Sequence, residues 1–294
     1  MRVFLIILLY IFLTILCLSI LFEIYVWMKF LQSFKIERDA NQLLPEVYKI
    51  PYETLYIPTE NNKTLVAWLL KQPEIKPENP IVIVAHGWTR NAAFLWPISW
   101  GLFNNGYTVL AMNARNHGDS ELDPPMTVQK YSEDLDHVSA VLKKMFPSNP
   151  LYLVGHSLGG AAVLIHAANN SDVKKVAALC AFSDSREIFL MDLVKAKVLY
   201  FPFGWFTLKL IEFRIKVKYE ILAPKNYIGK VKGNILLIHS EKDVRIPRKM
   251  QEDLFEAASK ENKPRMVMIP DATHTSLLTD DLTLRSVVRF LGGE

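Results

Sequence analysis

A serine framed by glycines stands in the stretch Leu151-Tyr152-Leu153-Val154-Gly155-His156-Ser157-Leu158-Gly159-Gly160. An apolar run leads into it and an Ala-rich run follows, so the order reads strand, tight turn, helix. A serine hydroxyl is a poor nucleophile unless it projects from the backbone toward a base. A sharp strand-to-helix turn does this and crowds its neighbours, which is why the flanking positions are glycine. The turn also sets Ser157 at a helix N-terminus, where free N–H groups and the dipole favour developing negative charge. Such a serine attacks a carbonyl carbon. It needs a base, a carboxylate to hold that base, and donors for the oxyanion.

Seven histidines compete for the role of base. His156 adjoins the serine, and its side chain is expected to point away. His166 lies in an apolar helical run and reads as a core histidine, and His137 reads as solvated. His86 and His117 sit in loops and read as braces for the backbone, while His239 ends a strand. His274, in Pro270-Asp271-Ala272-Thr273-His274-Thr275-Ser276, occupies a loop before the final helix and is the candidate base. Asp243 follows the strand ending at His239 and is the candidate acid. Its rivals are Asp184, just past another strand, and Asp271, awkwardly close in sequence to the base. The backbone N–H of Leu158 is one candidate oxyanion donor. The second is the N–H of Trp88, in the loop His86-Gly87-Trp88-Thr89.

These residues hang on an alternation of elements. A hairpin, Thr54–Ile57 and Thr64–Leu70, turns at Glu60-Asn61-Asn62-Lys63, and a Pro-containing loop covers 73–80. Apolar strands are then expected at 81–85, 107–112, 151–154, 176–182, 234–239 and 266–269. Helices are expected at 92–105, 127–146, 158–169, 247–260 and 276–291. Continuous apolar strands separated by helices predict an α/β fold, a mostly parallel sheet covered on both faces. Both side-chain candidates then lie just past C-terminal strand ends, where open parallel sheets place their chemistry. One segment, about 184–230, breaks the rhythm. It is rich in large apolar residues, including Tyr200-Phe-Pro-Phe-Gly-Trp-Phe206, and reads as a helical cap insertion. That run either packs the cap onto the sheet, or lines an acyl pocket or touches a bilayer.

The chain resembles the α/β-hydrolase superfamily from about residue 50 to 292. The resemblance rests on His86-Gly87-Trp88, on Asn113-Ala-Arg115-Asn-His117-Gly118-Asp119-Ser120, on the serine turn, on Glu241-Lys242-Asp243 with Pro247, and on Ala272-Thr273-His274. Within the superfamily it is most similar to bacterial esterase and serine-aminopeptidase-like members with an N-terminal membrane segment. The resemblance implies the order Ser157, Asp243, His274 as nucleophile, acid and base, and hydrolysis through an acyl-enzyme. Asn113 departs from the family pattern, where Asp is common, and a structural effect is expected there.

Val3 to Phe22 is a run of twenty residues without a charge. As a helix it reaches roughly 30 Å, enough to cross a bilayer's hydrocarbon core. Tyr25 and Trp27 follow, residue types that sit at membrane interfaces. An uncleaved anchor over 1–31, followed by a linker over 32–49 and a hydrolase domain over 50–294, is the reading. A cleaved signal peptide is the competing one, with no clear cleavage site behind it. A lipoprotein is excluded because Leu16 precedes Cys17. The cationic residues flanking the span do not assign its orientation, and the side on which the hydrolase domain lies stays open. The two cysteines form no disulfide framework. A net charge of +4 without a Lys/Arg tract argues against nucleic acid as a partner. The glycine-rich turn lacks a nucleotide-binding pattern and no His/Cys/Asp spacing is that of a metal site, so no cofactor and no metal are expected. The expected partners are a small-molecule acyl substrate and membrane lipid. A serine peptidase and a non-catalytic binding module remain as alternatives.

Overall fold

A computed structural model describes residues 1–33 and 45–294. Most of the expected linker lies outside the described residues. The chain divides into two compact units, one of Met1–Lys35 with Arg186–Val217 and one of Ile36–Ser185 with Lys218–Glu294.

The larger unit is built on eight strands: β1 (Tyr52–Thr59), β2 (Lys63–Leu70), β3 (Ile81–Ala85), β4 (Thr108–Met112), β5 (Leu151–His156), β6 (Val173–Leu179), β7 (Asn234–Ser240) and β8 (Arg265–Ile269). Their order in the sheet is β1-β2-β4-β3-β5-β6-β7-β8. β1 and β2 form the expected antiparallel hairpin, and β2 meets β4 antiparallel. From β4 to β8 every neighbouring pair is parallel. This is the mostly parallel sheet read from the continuous apolar runs. β3 and β4 are buried at every position, as strands covered on both faces must be.

The helices follow the apolar spacing. In α3 (Val128–Met145) the buried Tyr131, Leu135, Val138 and Leu142 recur at helical intervals, and the Thr127 hydroxyl caps the first turn by accepting from the Lys130 N–H at 3.1 Å. α4 (Leu158–Asn169) is buried almost all round and lies between α3 and the sheet. α7 (Arg248–Ala257) turns Met250 and Leu254 inward. Two expected helices begin later than their apolar runs. Residues 92–95 form a 3₁₀ turn before α2 (Trp96–Asn104). Ser276–Thr279 forms another before α8 (Asp281–Gly292), which starts where the Asp280 carboxylate accepts from the Leu282 and Thr283 N–H groups. The expected strand at 176–182 is displaced to 173–179, because Cys180 takes a left-handed φ of 47° and bends the chain out of the ladder.

The smaller unit holds α1 (Arg2–Ser33), nearly all of α5 (Ser185–Lys195), and α6 (Trp205–Ile215). α1 is long and apolar enough to cross a membrane. Residues 218–230, read from sequence as cap, belong to the larger unit, where Tyr219, Leu222 and Ile228 are buried. Of the apolar run 200–206, Tyr200, Phe201, Trp205 and Phe206 are exposed.

Candidate active site

The parallel strands end level, and the candidate residues stand along that edge. Ala85 of β3 lies opposite Gly155 of β5, Leu179 of β6 opposite Ile238 of β7, and Ser240 opposite Ile269 of β8. Trp88, Ser157, Asp243 and His274 each follow one of these ends within a few residues. The sheet register alone therefore gathers groups that are more than 180 residues apart in sequence.

Ser157 sits between β5 and α4 with φ 54° and ψ −116°, a conformation costly for any residue with a side chain, by about 1–3 kcal/mol. Its N–H bonds to the Leu179 carbonyl at 2.8 Å, which ties the turn to β6. The glycines have a geometric reason. A Cβ at Gly155 would overlap the Gly159 backbone, and one at Gly159 would overlap the carbonyls of Ala85 and His86. The helix can start so close to the strand ends only because both side chains are missing.

Ser157 Oγ lies 3.0 Å from His274 Nε2, and His274 Nδ1 lies 2.7 Å from Asp243 Oδ2. The other carboxylate oxygen of Asp243 accepts from the N–H groups of Arg245 and Ile246, both at 2.8 Å. Burial alone raises the Asp243 pKa, but the hydrogen bonds from His274 and the two backbone donors outweigh it and hold the carboxyl below its ordinary value. Asp243 is therefore an anchored carboxylate, and the bond from His274 Nδ1–H leaves Nε2 free to accept a proton from the serine. The rivals are engaged elsewhere: Asp184 pairs with Lys225 at 2.8 Å, and Asp271 lies exposed against Lys242.

The loops behind the site are cross-tied. His86 donates from Nδ1 to the Gly87 carbonyl at 2.8 Å and accepts at Nε2 from the Ala114 N–H at 3.1 Å. Burial, with His117 alongside, pushes its pKa well below the ordinary histidine range, so it stays neutral and fulfils both roles. Asn113 Oδ1 accepts from the Ala92 N–H at 2.8 Å, and its carbonyl accepts from Ser120 Oγ at 2.7 Å. These bonds fix the loop holding Trp88. A Cβ built at Gly87 would come within 3.2 Å of Ser157 Cβ, so this loop runs directly against the nucleophile candidate. Leu158, next after Ser157, is the first residue of α4.

One participant was not foreseen in its role. His156 does not simply turn away: its Nε2–H donates to the His274 carbonyl at 2.7 Å, and the two rings stand 4.8 Å apart. Burial and the adjacent His274 push its pKa down to about 3, so it is a neutral brace. Its neighbourhood with Ser157 in sequence gave no sign of this, because the contact is made with a loop 118 residues away.

Two further groupings resemble reactive sites. Asp136, His166 and Ser139 form a second Ser-His-Asp chain, with contacts of 2.6 and 2.9 Å. Ser139 is buried in the middle of α3, where its neighbouring N–H groups are bound into the helix, so it faces no oxyanion donors and no substrate. Cys180, His239 and Asp243 offer ligand atoms within 4.8 Å of one another, a grouping that sequence spacing did not reveal. Burial, though relieved in part by Ser240, pushes the Cys180 thiol up to about 12, and Asp243 is committed to three hydrogen bonds, so the donor set fits a metal ion poorly.

Known proteins share this arrangement of elements. A family model described as serine aminopeptidase, S33, matches residues 76–212. Human protein phosphatase methylesterase 1 is 26% identical over 111 residues, 35% of this chain and 27% of that protein. The chain thus spans about a quarter of the methylesterases it matches. Protein bem46 of Schizosaccharomyces pombe is 21% identical over 280 residues, covering 95% of this chain and 89% of its own. Among solved structures, the Pyrococcus furiosus esterase Pf2001 superposes with a TM-score of 0.69 at 21% identity, over 87% of this chain and 97% of that one. Est1E from Butyrivibrio proteoclasticus, solved with ferulic acid, gives 0.62 at 19% identity over 81% and 97%. These structural likenesses carry the fold, and the family match points to a hydrolase.

Proposed function

We propose that this chain, a member of the α/β-hydrolase superfamily, is a serine hydrolase that cleaves carboxylic esters through an acyl-enzyme. The observation that carries the reading is the continuous contact Ser157 Oγ to His274 Nε2 to Asp243, at 3.0 and 2.7 Å, on the turn that opens α4. In the reaction, His274 Nε2 takes the hydroxyl proton as Ser157 Oγ bonds to the carbonyl carbon. The oxyanion that forms is held by the N–H groups of Leu158 and Trp88. Collapse breaks the bond to the leaving oxygen, and His274 returns the proton to it. Water, deprotonated by His274, then attacks the acyl-enzyme and releases the acid and Ser157. Every atom and proton is accounted for by the chain, the substrate and water.

A second reading, a peptidase acting on short peptides, is favoured by the description of the matching family model. The same machinery serves it, with an amine as leaving group. A panel of p-nitrophenyl esters set against aminoacyl anilides separates the two. Turnover of the esters with negligible anilide cleavage is expected, and the reverse would replace the esterase reading. We further read α1 as a membrane anchor, on its length and apolar surface.

A further inference from the structure

The cap residues of the smaller unit are packed against α1 itself, at a level that the anchor reading assigns to the bilayer. The Phe22 and Phe203 rings meet edge to face at 5.0 Å, and Thr207 Oγ1 donates to Glu23 Oε1 at 2.9 Å. Below them, Ile15, Leu18, Ser19 and Phe22 of α1 face Lys197, Leu199 and Phe203 across an apolar cavity of about 410 Å³. Ile15 precedes Phe22 by seven residues, about 10 Å along a helix axis. The segment 197–207 therefore lies beside the C-terminal third of the uncharged run Val3–Phe22. A helix cannot be surrounded by lipid at that level unless the cap beside it is in lipid too.

The exposed surface of the cap fits this placement. Leu199 and Phe201 are 70% and 74% exposed, and Tyr200, Trp205 and Phe206 are exposed around them. Large aromatic and aliphatic side chains left bare in water on one short segment are unusual, and Trp and Tyr are the types that settle at headgroup level. Over residues 186–217 six cationic side chains stand against three acidic ones, a balance that favours an anionic leaflet. Lys197 is at the cavity itself, with an apolar stem and a charged end, the form of side chain that reaches from hydrocarbon to headgroup.

We infer that the cap segment around Leu199–Phe206 is a second membrane-contacting element, inserted into the phospholipid leaflet from which α1 emerges. The inference rests on the anchor reading of α1, and its test separates the two. A fluorophore is attached at Tyr10→Cys or at Phe201→Cys in the full-length protein lacking Cys17 and Cys180. The protein is reconstituted in phosphatidylcholine–phosphatidylglycerol vesicles, and the vesicles carry nitroxide lipids labelled near the headgroup or in mid-chain. The inference predicts loss of fluorescence at both positions, with the label at 201 quenched more by the headgroup nitroxide. Quenching at 10 but not at 201 overturns it and leaves the anchor standing. The same holds if the 201 label is found to face a second copy, by energy transfer between chains. Quenching at neither position removes the anchor and the inference together. Phe201 is exposed, so its replacement does not threaten folding.

Discussion

At the scale of single residues, contact alone does not make a reactive serine. Ser139 and Ser157 both touch a histidine that touches an aspartate, at nearly the same distances. Only Ser157 stands at a helix start, in a strained turn at a strand end. The account predicts that Asp243→Asn keeps the fold but lowers turnover by about 10⁴-fold, because the amide no longer holds His274 in the accepting tautomer. Steady-state kinetics on a short ester check this. Ser157→Gly should abolish turnover yet raise stability by about 1 kcal/mol, since glycine adopts the turn without strain. An equilibrium denaturation curve measures it, and an unchanged or lower midpoint would speak against strain at that position. His156 gives a pH prediction. Its folded pKa lies below the ordinary value of about 6.5, so the native state stays neutral while the unfolded chain takes up a proton. Its contribution to stability is full above that ordinary value and is lost as pH falls toward 3, by up to about 1.4 kcal/mol per pH unit. Wild type should therefore lose more stability between neutral and mildly acidic pH than His156→Gln, and equal slopes would contradict the buried neutral ring.

At the scale of elements, the strand ends set the site and the glycines let α4 approach them. Gly159→Ala should lower stability by about 3 kcal/mol, because the new methyl meets two carbonyls that belong to the sheet edge. Thermal unfolding of the purified variant tests it. This scale also explains what the sequence made legible. The alternation of apolar runs predicted the parallel sheet, and loops past strand ends picked out Ser157, Asp243 and His274, whose side chains are in contact, because local pattern determines both. The brace from His156 to the His274 carbonyl was not legible, and neither was the pairing of Asp136 and Ser139 with His166. Each depends on which elements become neighbours and at what rotation. The end of β6 was misplaced for a local reason, since an apolar run does not reveal a left-handed residue such as Cys180 within it.

At the scale of the whole molecule, the smaller unit carries the proposed anchor and the larger one the proposed active site. The apolar surface of the cap gives a prediction about substrate form. Trp205→Ala combined with Phe206→Ala should reduce hydrolysis of esters carried in vesicles while leaving a soluble short ester unaffected, since neither residue belongs to the reacting groups. Equal activity on both substrates would argue that these rings have no role at a lipid surface. The proposed reaction presupposes that Ser157 is the nucleophile, and the most direct measurement of that claim is covalent labelling by a fluorophosphonate probe. The account predicts that wild type is labelled at Ser157, that Asp243→Asn is labelled far more slowly, and that Ser157→Ala is not labelled. Absence of labelling in wild type, or equal labelling of Ser157→Ala, would contradict it.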